Sequence, residues 1–256
     1  MSETPLRARV LAGQAVRGAM IFEFYAPGMP QIMAQAGCEF LLYDMEHTGA
    51  GLESVKAQVA ACRGLLAPLV RVPRGEYHFL ARALDIGCHG VMVPMVESAE
   101  DARAIVAATH YPPEGRRGAG FGFAHDGYAP GAPAEKIAAA HARTLVIAQI
   151  ETERGLEQVE AIAATPGIDV LWLGHFDLTN FLGIPGDFAH PRYRAAVARI
   201  VAAGRAHGKA LGFMAGSREA VLEYAGLGFT MIAAGTDQAI LMAGVRAMIG
   251  DTGGQG

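Results

Sequence analysis

Apolar residues fall along this chain in short runs, and between the runs they recur at helical spacing. The runs Ala19–Phe24, Phe40–Asp44, Ala67–Val72, Gly90–Pro94, Leu145–Glu151, Val170–Leu173, Ala210–Met214 and Thr230–Ala234 predict eight strands. Runs this short, rich in β-branched residues, suit strands covered on both faces. Between them, helices are predicted from Gly28 to a stop at Gly37, over Leu52–Cys62, over Tyr77–Ile86 with a stop at Gly87, and over Ala99–Ala108 after Ser98. Further helices are predicted over Leu156–Ala164, a short turn followed by Pro191–His207, Arg218–Ala225 and Gln238–Met248. Leu6–Gly13 predicts a short helix over one end of the sheet.

Eight βα units in about 250 residues are the expectation for a (βα)8 TIM barrel, so the fold class is α/β, with one domain over residues 1–256. A doubly wound sheet has the same alternation. The count favours the barrel, and no Gly-x-Gly-x-x-Gly follows the first strand. One connection, residues 110–144, is long and carries a helical piece, Pro133–His141. It leaves from the bottom of the barrel and reads either as a surface excursion or as an inserted arm reaching a neighbouring subunit. The arm reading predicts oligomers. Residues 251–256 predict a disordered tail.

Composition narrows the function. Hydrophobic residues are 52% of the 256 and charged residues 18%, ample for a core. A formal charge of −4 without a basic face argues against nucleic acid as partner. No apolar run reaches bilayer-spanning length, and Met1–Arg7 lacks the pattern of a signal peptide. Cys38, Cys62 and Cys88 are odd in number and lack metal-type spacing, which predicts reduced thiols in the cytoplasm.

Polar groups gather where strands end, the place where barrels carry chemistry. Gln149 and Glu151 lie two apart on one strand and so share a face. Asp177 follows the next strand. Two carboxylates over adjacent strand ends suit a hard divalent cation, although either alone also reads as a helix cap. The second strand ends in Asp44, Glu46 and His47, where His47 is a candidate general base. Arg71 puts a guanidinium in an apolar strand, where it serves either a structural salt bridge or a substrate oxyanion. Gly216 and Gly235 read as phosphate-cradling glycines or as the first residues of helices. Lys56, Lys136 and Lys209, the chain's only lysines, fall outside the strand ends, which disfavours imine chemistry.

Taken together, Tyr43–His47, Val70–Pro73, Val91–Met95, Tyr111–Pro113 with Arg117–Gly118, Gln149–Glu151 and Gly174–Leu178 form an ordered set. The set resembles the class II, metal-dependent pyruvate aldolases typified by 4-hydroxy-2-oxoheptane-1,7-dioate aldolase, within the citrate lyase beta-subunit superfamily. The likeness runs from about residue 17 to residue 248. It implies a trimer of dimers and an Mg²⁺- or Mn²⁺-type ion (Co²⁺ as an alternative) on Glu151 and Asp177. It implies a 2-oxoacid, such as pyruvate or hydroxypyruvate, chelating that ion and an aldehyde as the second substrate. By the same likeness Gln149 and the backbone at Phe176 and Asp177 bind substrate, His47 is the base, and Arg71 stabilises the enolate. Asp85 matches the acid that raises the histidine's basicity. Asp85 nevertheless falls at the end of a helix, on the opposite face, and Asp44 is the nearer candidate for orienting His47. Where the family carries Gly-Pro-x-Asp-Leu-Ser, this chain has His175 and Phe176, which bear on substrate specificity. An acyl-CoA lyase of the malyl-CoA type and a non-catalytic barrel binding metal or a small acid are the rival readings; no basic cluster for the nucleotide of CoA is visible.

Overall fold

In the computed structural model, which describes residues 4–250, strand alternation decides which side chains fill the barrel. β2 (Phe40–Asp44) and β3 (Ala67–Arg71) pair in parallel, from Phe40 opposite Ala67 to Asp44 opposite Arg71. Phe40, Leu42, Ala67 and Leu69 belong to the interior cluster; Leu41, Tyr43 and Val70 belong to the layer beneath the helices. Alternation therefore brings Asp44 and Arg71 to the inner side at the last position of each strand. On β5 (Leu145–Ile150), Leu145 and Ile147 face inward and Gln149 is next in that row.

These strands join β1 (Val16–Ile21), β4 (Gly90–Val93), β6 (Val170–Leu173), β7 (Ala210–Met214) and β8 (Met231–Thr236) in a closed parallel barrel in sequence order. Trp172 fills the middle of the interior and stands opposite Gly212 on β7. A Cβ at Gly212 would lie 2.2 Å from the indole, so only glycine leaves room for it. Helix α1 (Leu6–Leu11) closes the bottom: Leu6 and Val10 enter the interior cluster, and Arg7 holds Asp169 through two bonds of 2.9 and 3.0 Å.

The outer helices are α2 (Met29–Gln35), α3 (Leu52–Cys62), α4 (Tyr77–Asp85), α5 (Ala99–Thr109), α6 (Pro133–Arg143), α7 (Glu153–Glu157), α8 (Val159–Ala163), α9 (His175–Phe181), α10 (Pro191–Ala206), α11 (Arg218–Leu227) and α12 (Asp237–Ile249). Most element bounds fall within two residues of the sequence pattern. Besides the helix after β5, which starts three residues early at Glu153, strand one is the exception, since it begins and ends three residues earlier than its apolar run. The cause is Asp237, whose carboxylate accepts from the backbone N–H groups of Phe22, Glu23 and Phe24 at 2.7–3.0 Å and so ends the ladder. The helix after β5 is two pieces, separated at Gln158, which leaves helical dihedrals at φ −102°, ψ 8°.

Much of the long connection lies back on its own barrel. Tyr111 and Arg117 are buried, Arg117 reaches Asp85 at 2.6 Å, and the Gly118 N–H donates to the Tyr77 hydroxyl at 2.8 Å. Phe123 and Tyr128 remain exposed. Among the described residues, no helix is long and apolar enough to cross a membrane. The expected tail, residues 251–256, lies outside the described residues.

Candidate active site

The inward row that fills the barrel with apolar side chains turns polar at its upper end. Asp44 is fully buried, and Arg71 nearly so, with its Nε 2.5 Å from Asp44 Oδ1. Oδ2 of Asp44 accepts from the backbone N–H of His47 at 2.7 Å, while Thr48 Oγ1 and the Tyr25 hydroxyl donate to its carbonyl. One carboxylate thus fixes both the guanidinium and the turn that carries His47. It does so through the backbone and not, as expected, at the imidazole. The acid beside that ring is Glu46, whose Oε2 stands 3.6 Å from His47 Nε2 and 3.1 Å from an Arg71 terminal nitrogen. Phe22 covers the Arg71 guanidinium, with its ring centroid 5.6 Å away.

Across the mouth, Glu151 is buried at the end of β5. Gln149 Nε2 donates to one of its oxygens and the Met95 N–H to the other, at 2.7 Å. Met95 makes that contact with a φ of 55°, in the left-handed region that non-glycine residues rarely occupy. Behind Glu151 lies Gly174: a Cβ there would fall 2.4 Å from Glu151 Oε2. Gly174 also precedes α9, whose first turn carries Asp177. Burial pushes the Glu151 carboxyl up to about 7, and the charges of Glu46 and Asp177 add to the rise, against the Met95 N–H. Glu46 is likewise raised, first by burial, with Arg71 and His47 opposing and Asp44 and Asp177 adding. Glu46, Glu151 and Asp177 therefore share one negative field, with Arg71 beside it.

The donor set is all oxygen, as hard divalent cations require. Gln149 Oε1 is buried here without a hydrogen-bond partner, and Glu46 Oε2 has no hydrogen bond beyond its ion pair with Arg71, so the pocket holds acceptor capacity that its own donors do not satisfy. Among the described residues no three His, Cys, Asp or Glu side chains converge as a ligand cluster. A cation here would rest on Glu151 and Asp177, with further oxygen donors completing its shell. On these grounds the residues fit such a group.

Other expected residues lie elsewhere. Asp85 ends α4 on the underside, paired with Arg117, and within one chain it does not meet His47. Phe176 is exposed in the first turn of α9, and His175 packs against Phe176 and Phe213 with burial pushing its imidazole down to about 4. A cleft of about 1000 Å³ opens beside them between α10 and α11. Gly216 precedes Ser217, the residue capping α11, and Gly235 sits inside β8 with a φ of 86°. Lys209 donates to the carbonyls of Thr165 and Ile168, and Lys136 pairs with Asp126, so neither reaches the mouth. Sequence reasoning missed Met95 as a backbone donor, Gly174 as a necessary gap, and Asp237.

A closed (βα)8 barrel with this mouth defines an α/β-barrel lyase, and the comparisons agree. The chain belongs to the HpcH/HpaI aldolase/citrate lyase family, whose profile matches residues 20–243. It is 39% identical over 212 residues to a hydroxypyruvate/pyruvate aldolase of Chromohalobacter salexigens, covering 82% of this chain and 83% of that one. It is 34% identical over 239 residues to a 5-keto-4-deoxy-D-glucarate aldolase of Salmonella arizonae, covering 93% of each. The crystal structure of an HpcH/HpaI aldolase from Desulfitobacterium hafniense superposes with a TM-score of 0.91 at 30% identity, covering 96% of this chain and 95% of that one.

Proposed function

We propose that this enzyme cleaves and forms 4-hydroxy-2-oxoacids, with pyruvate or a related 2-oxoacid such as hydroxypyruvate as donor and an aldehyde as acceptor, and that it requires a divalent cation of the Mg²⁺ or Mn²⁺ type, with Co²⁺ as a substitute. The observation that carries this reading is the buried, unpartnered Gln149 Oε1 beside the Glu151 carboxylate, which shares one negative field with Glu46 and Asp177. The names of the two relatives above support the donor class.

Breaking a carbon–carbon bond beside a carbonyl leaves a carbanion that must be held as an enolate. A divalent cation on Glu151 and Asp177 would supply Lewis-acid stabilisation of that charge. Arg71 adds positive charge to the same oxygen, and Asp44 holds its guanidinium at a fixed position as the charge develops. Gln149 and the backbone at Phe176 and Asp177 orient the 2-oxoacid. His47 takes the 4-hydroxyl proton of the aldol as bond cleavage proceeds and returns it in the synthetic direction. Its ring is half exposed, with Glu46 Oε2 3.6 Å from Nε2. Asp85 would join this machinery from a second copy of the chain, whose underside would face the mouth.

Self-assembly is part of the proposal, with the trimer of dimers implied by the family likeness. Helix α12 touches its own barrel only near its start, and Ile240, Leu241, Met242, Val245, Met248 and Ile249 are all exposed along it. A second copy would cover that face. Analytical ultracentrifugation should show an oligomer that Leu241→Asp with Val245→Asp dissociates; a wild-type monomer at micromolar concentration would remove this part. Three free cysteines accord with a reducing cytoplasm.

The test is pyruvate release coupled to lactate dehydrogenase, with 4-hydroxy-2-oxoacids and malyl-CoA supplied in turn. Activity should appear with the oxoacids, vanish with EDTA and return with Mn²⁺ or Mg²⁺. Turnover indifferent to chelator, or confined to malyl-CoA, would overturn the reading.

A further inference from the structure

Among the described residues, ten buried side-chain nitrogen and oxygen atoms lack a hydrogen-bond partner, and half of them gather at the end of the barrel opposite the mouth. They are the Tyr111 hydroxyl, Arg117 Nε, both ring nitrogens of His125, and Arg143 Nε. His125 and Arg143 line a cavity of about 740 Å³ beneath β3 and β4, walled by the ends of α3 and α4, the 3₁₀ turn Ala124–Asp126, and α6. Tyr111 and Arg117 lie behind that wall, the Arg117 guanidinium 4.7 Å from the Tyr111 ring centroid, within electrostatic reach of His125 and Arg143.

Each of these groups can donate a hydrogen bond, His125 through one ring nitrogen because burial favours its neutral form, and the acids close by are already engaged. Asp85 holds Arg117 at 2.6 Å, and Asp126 holds Lys136 at 2.7 Å. Among the described residues Arg143, half-buried with its Nε enclosed, makes no ion pair or hydrogen bond, while burial and the charge of Arg117 both weigh against its ionisation. Glu135, at the cavity's edge, is exposed, as are Lys56 and Arg63, which add two more positive charges. A buried guanidinium is ordinarily matched by an anion, and a cluster of unsatisfied donors is the complement of an oxyanion's acceptors. Val59, Leu66 and Ile86 give the same cavity apolar walls, and its size leaves room for an organic body behind an anionic head.

We infer that this underside cavity is a binding site for a small oxyanion, a carboxylate or a phosphate, held by Arg143 and His125 and distinct from the mouth of its own barrel. Nothing in the inference rests on the reaction proposed above.

Isothermal titration calorimetry on the full-length, EDTA-treated protein tests it, with phosphate and succinate as separate titrants. One of them should bind with a dissociation constant of about 1 mM or tighter. Which titrant binds tells phosphate from carboxylate. Arg143→Gln should weaken binding by at least about tenfold, His125→Asn should weaken it as well, and Arg71→Ala at the mouth should leave it unchanged. No heat with either anion would mean that water alone fills the cavity, and would overturn the inference. So would binding that survives Arg143→Gln or disappears in Arg71→Ala. If Arg143→Gln does not fold, a wild-type crystal soaked in selenate decides: anomalous density within hydrogen-bond distance of Arg143 supports the site, and its absence there removes it.

Discussion

The backbone N–H of Met95 lies 2.7 Å from the Glu151 carboxylate, and Met95 holds a left-handed φ of 55° at that contact. The strain and the hydrogen bond belong together: the loop after β4 is twisted where it grips the acid. Met95 is 45% exposed, so its side chain contributes little packing. Met95→Gly should retain activity and raise stability by up to about 1 kcal/mol by relieving the αL cost. Met95→Val should lose about 1–2 kcal/mol, since a β-branched residue tolerates that region worst. Thermal melts rank the three; a valine variant as stable as wild type would mean that the backbone is unstrained.

Glu151 titrates at about 7 instead of its ordinary 4.5, with burial the largest cause. A carboxyl raised on folding contributes stability at low pH and loses it as pH rises through the folded value, here between 4.5 and about 7. A cation must displace that proton. Apparent metal affinity should fall by about tenfold for each pH unit below 7 and level off above it. Glu151→Gln removes the buried charge, so the metal-free variant should melt above wild type at pH 8 and show no shift with Mn²⁺. Equal Mn²⁺ affinity at pH 5.5 and pH 8 would contradict this assignment.

Gly174 leaves the space that Glu151 occupies. Gly174→Ala places a methyl 2.4 Å from Glu151 Oε2 and 2.6 Å from Glu151 Cβ, so both the carboxylate and the strand end that carries it must shift. The variant should fold, with circular dichroism like wild type, but lose metal-dependent activity by about tenfold or more, the scale of a displaced ligand's support. Full activity would show that the carboxylate finds an equivalent position.

His47 and Arg71 separate by chemistry. His47→Ala should cut turnover by about 10²–10⁴-fold, the range of a lost general base, while leaving the thermal midpoint unchanged, since its ring is half exposed. Arg71→Lys keeps a charge but not the fork that meets Asp44 and Glu46, so both kcat and stability should fall. Steady-state kinetics and melts of the two variants check the split.

The barrel was legible because short apolar runs and stretches of helical spacing follow one another eight times, each unit reinforcing the next. The inward placement of Asp44, Arg71 and Gln149 follows from the alternation of side chains along a strand. Contacts between side chains and distant backbone left no local mark. Asp237 reads as an ordinary first-turn acid of a helix, yet it ends β1 more than two hundred residues away in sequence. Met95 belongs to a recognisable segment, but a left-handed methionine has no compositional signature. Sequence proximity makes Asp44 a candidate for orienting His47; the turn between them presents the backbone N–H to Asp44 and leaves the ring beside Glu46.

The residue that opens α12 is the one that clamps Phe22–Phe24, and Phe22 covers Arg71. Helix α12 is thereby moored by its first residue to the roof over Arg71. A force that tilts α12 along its exposed length would reach that roof through Asp237.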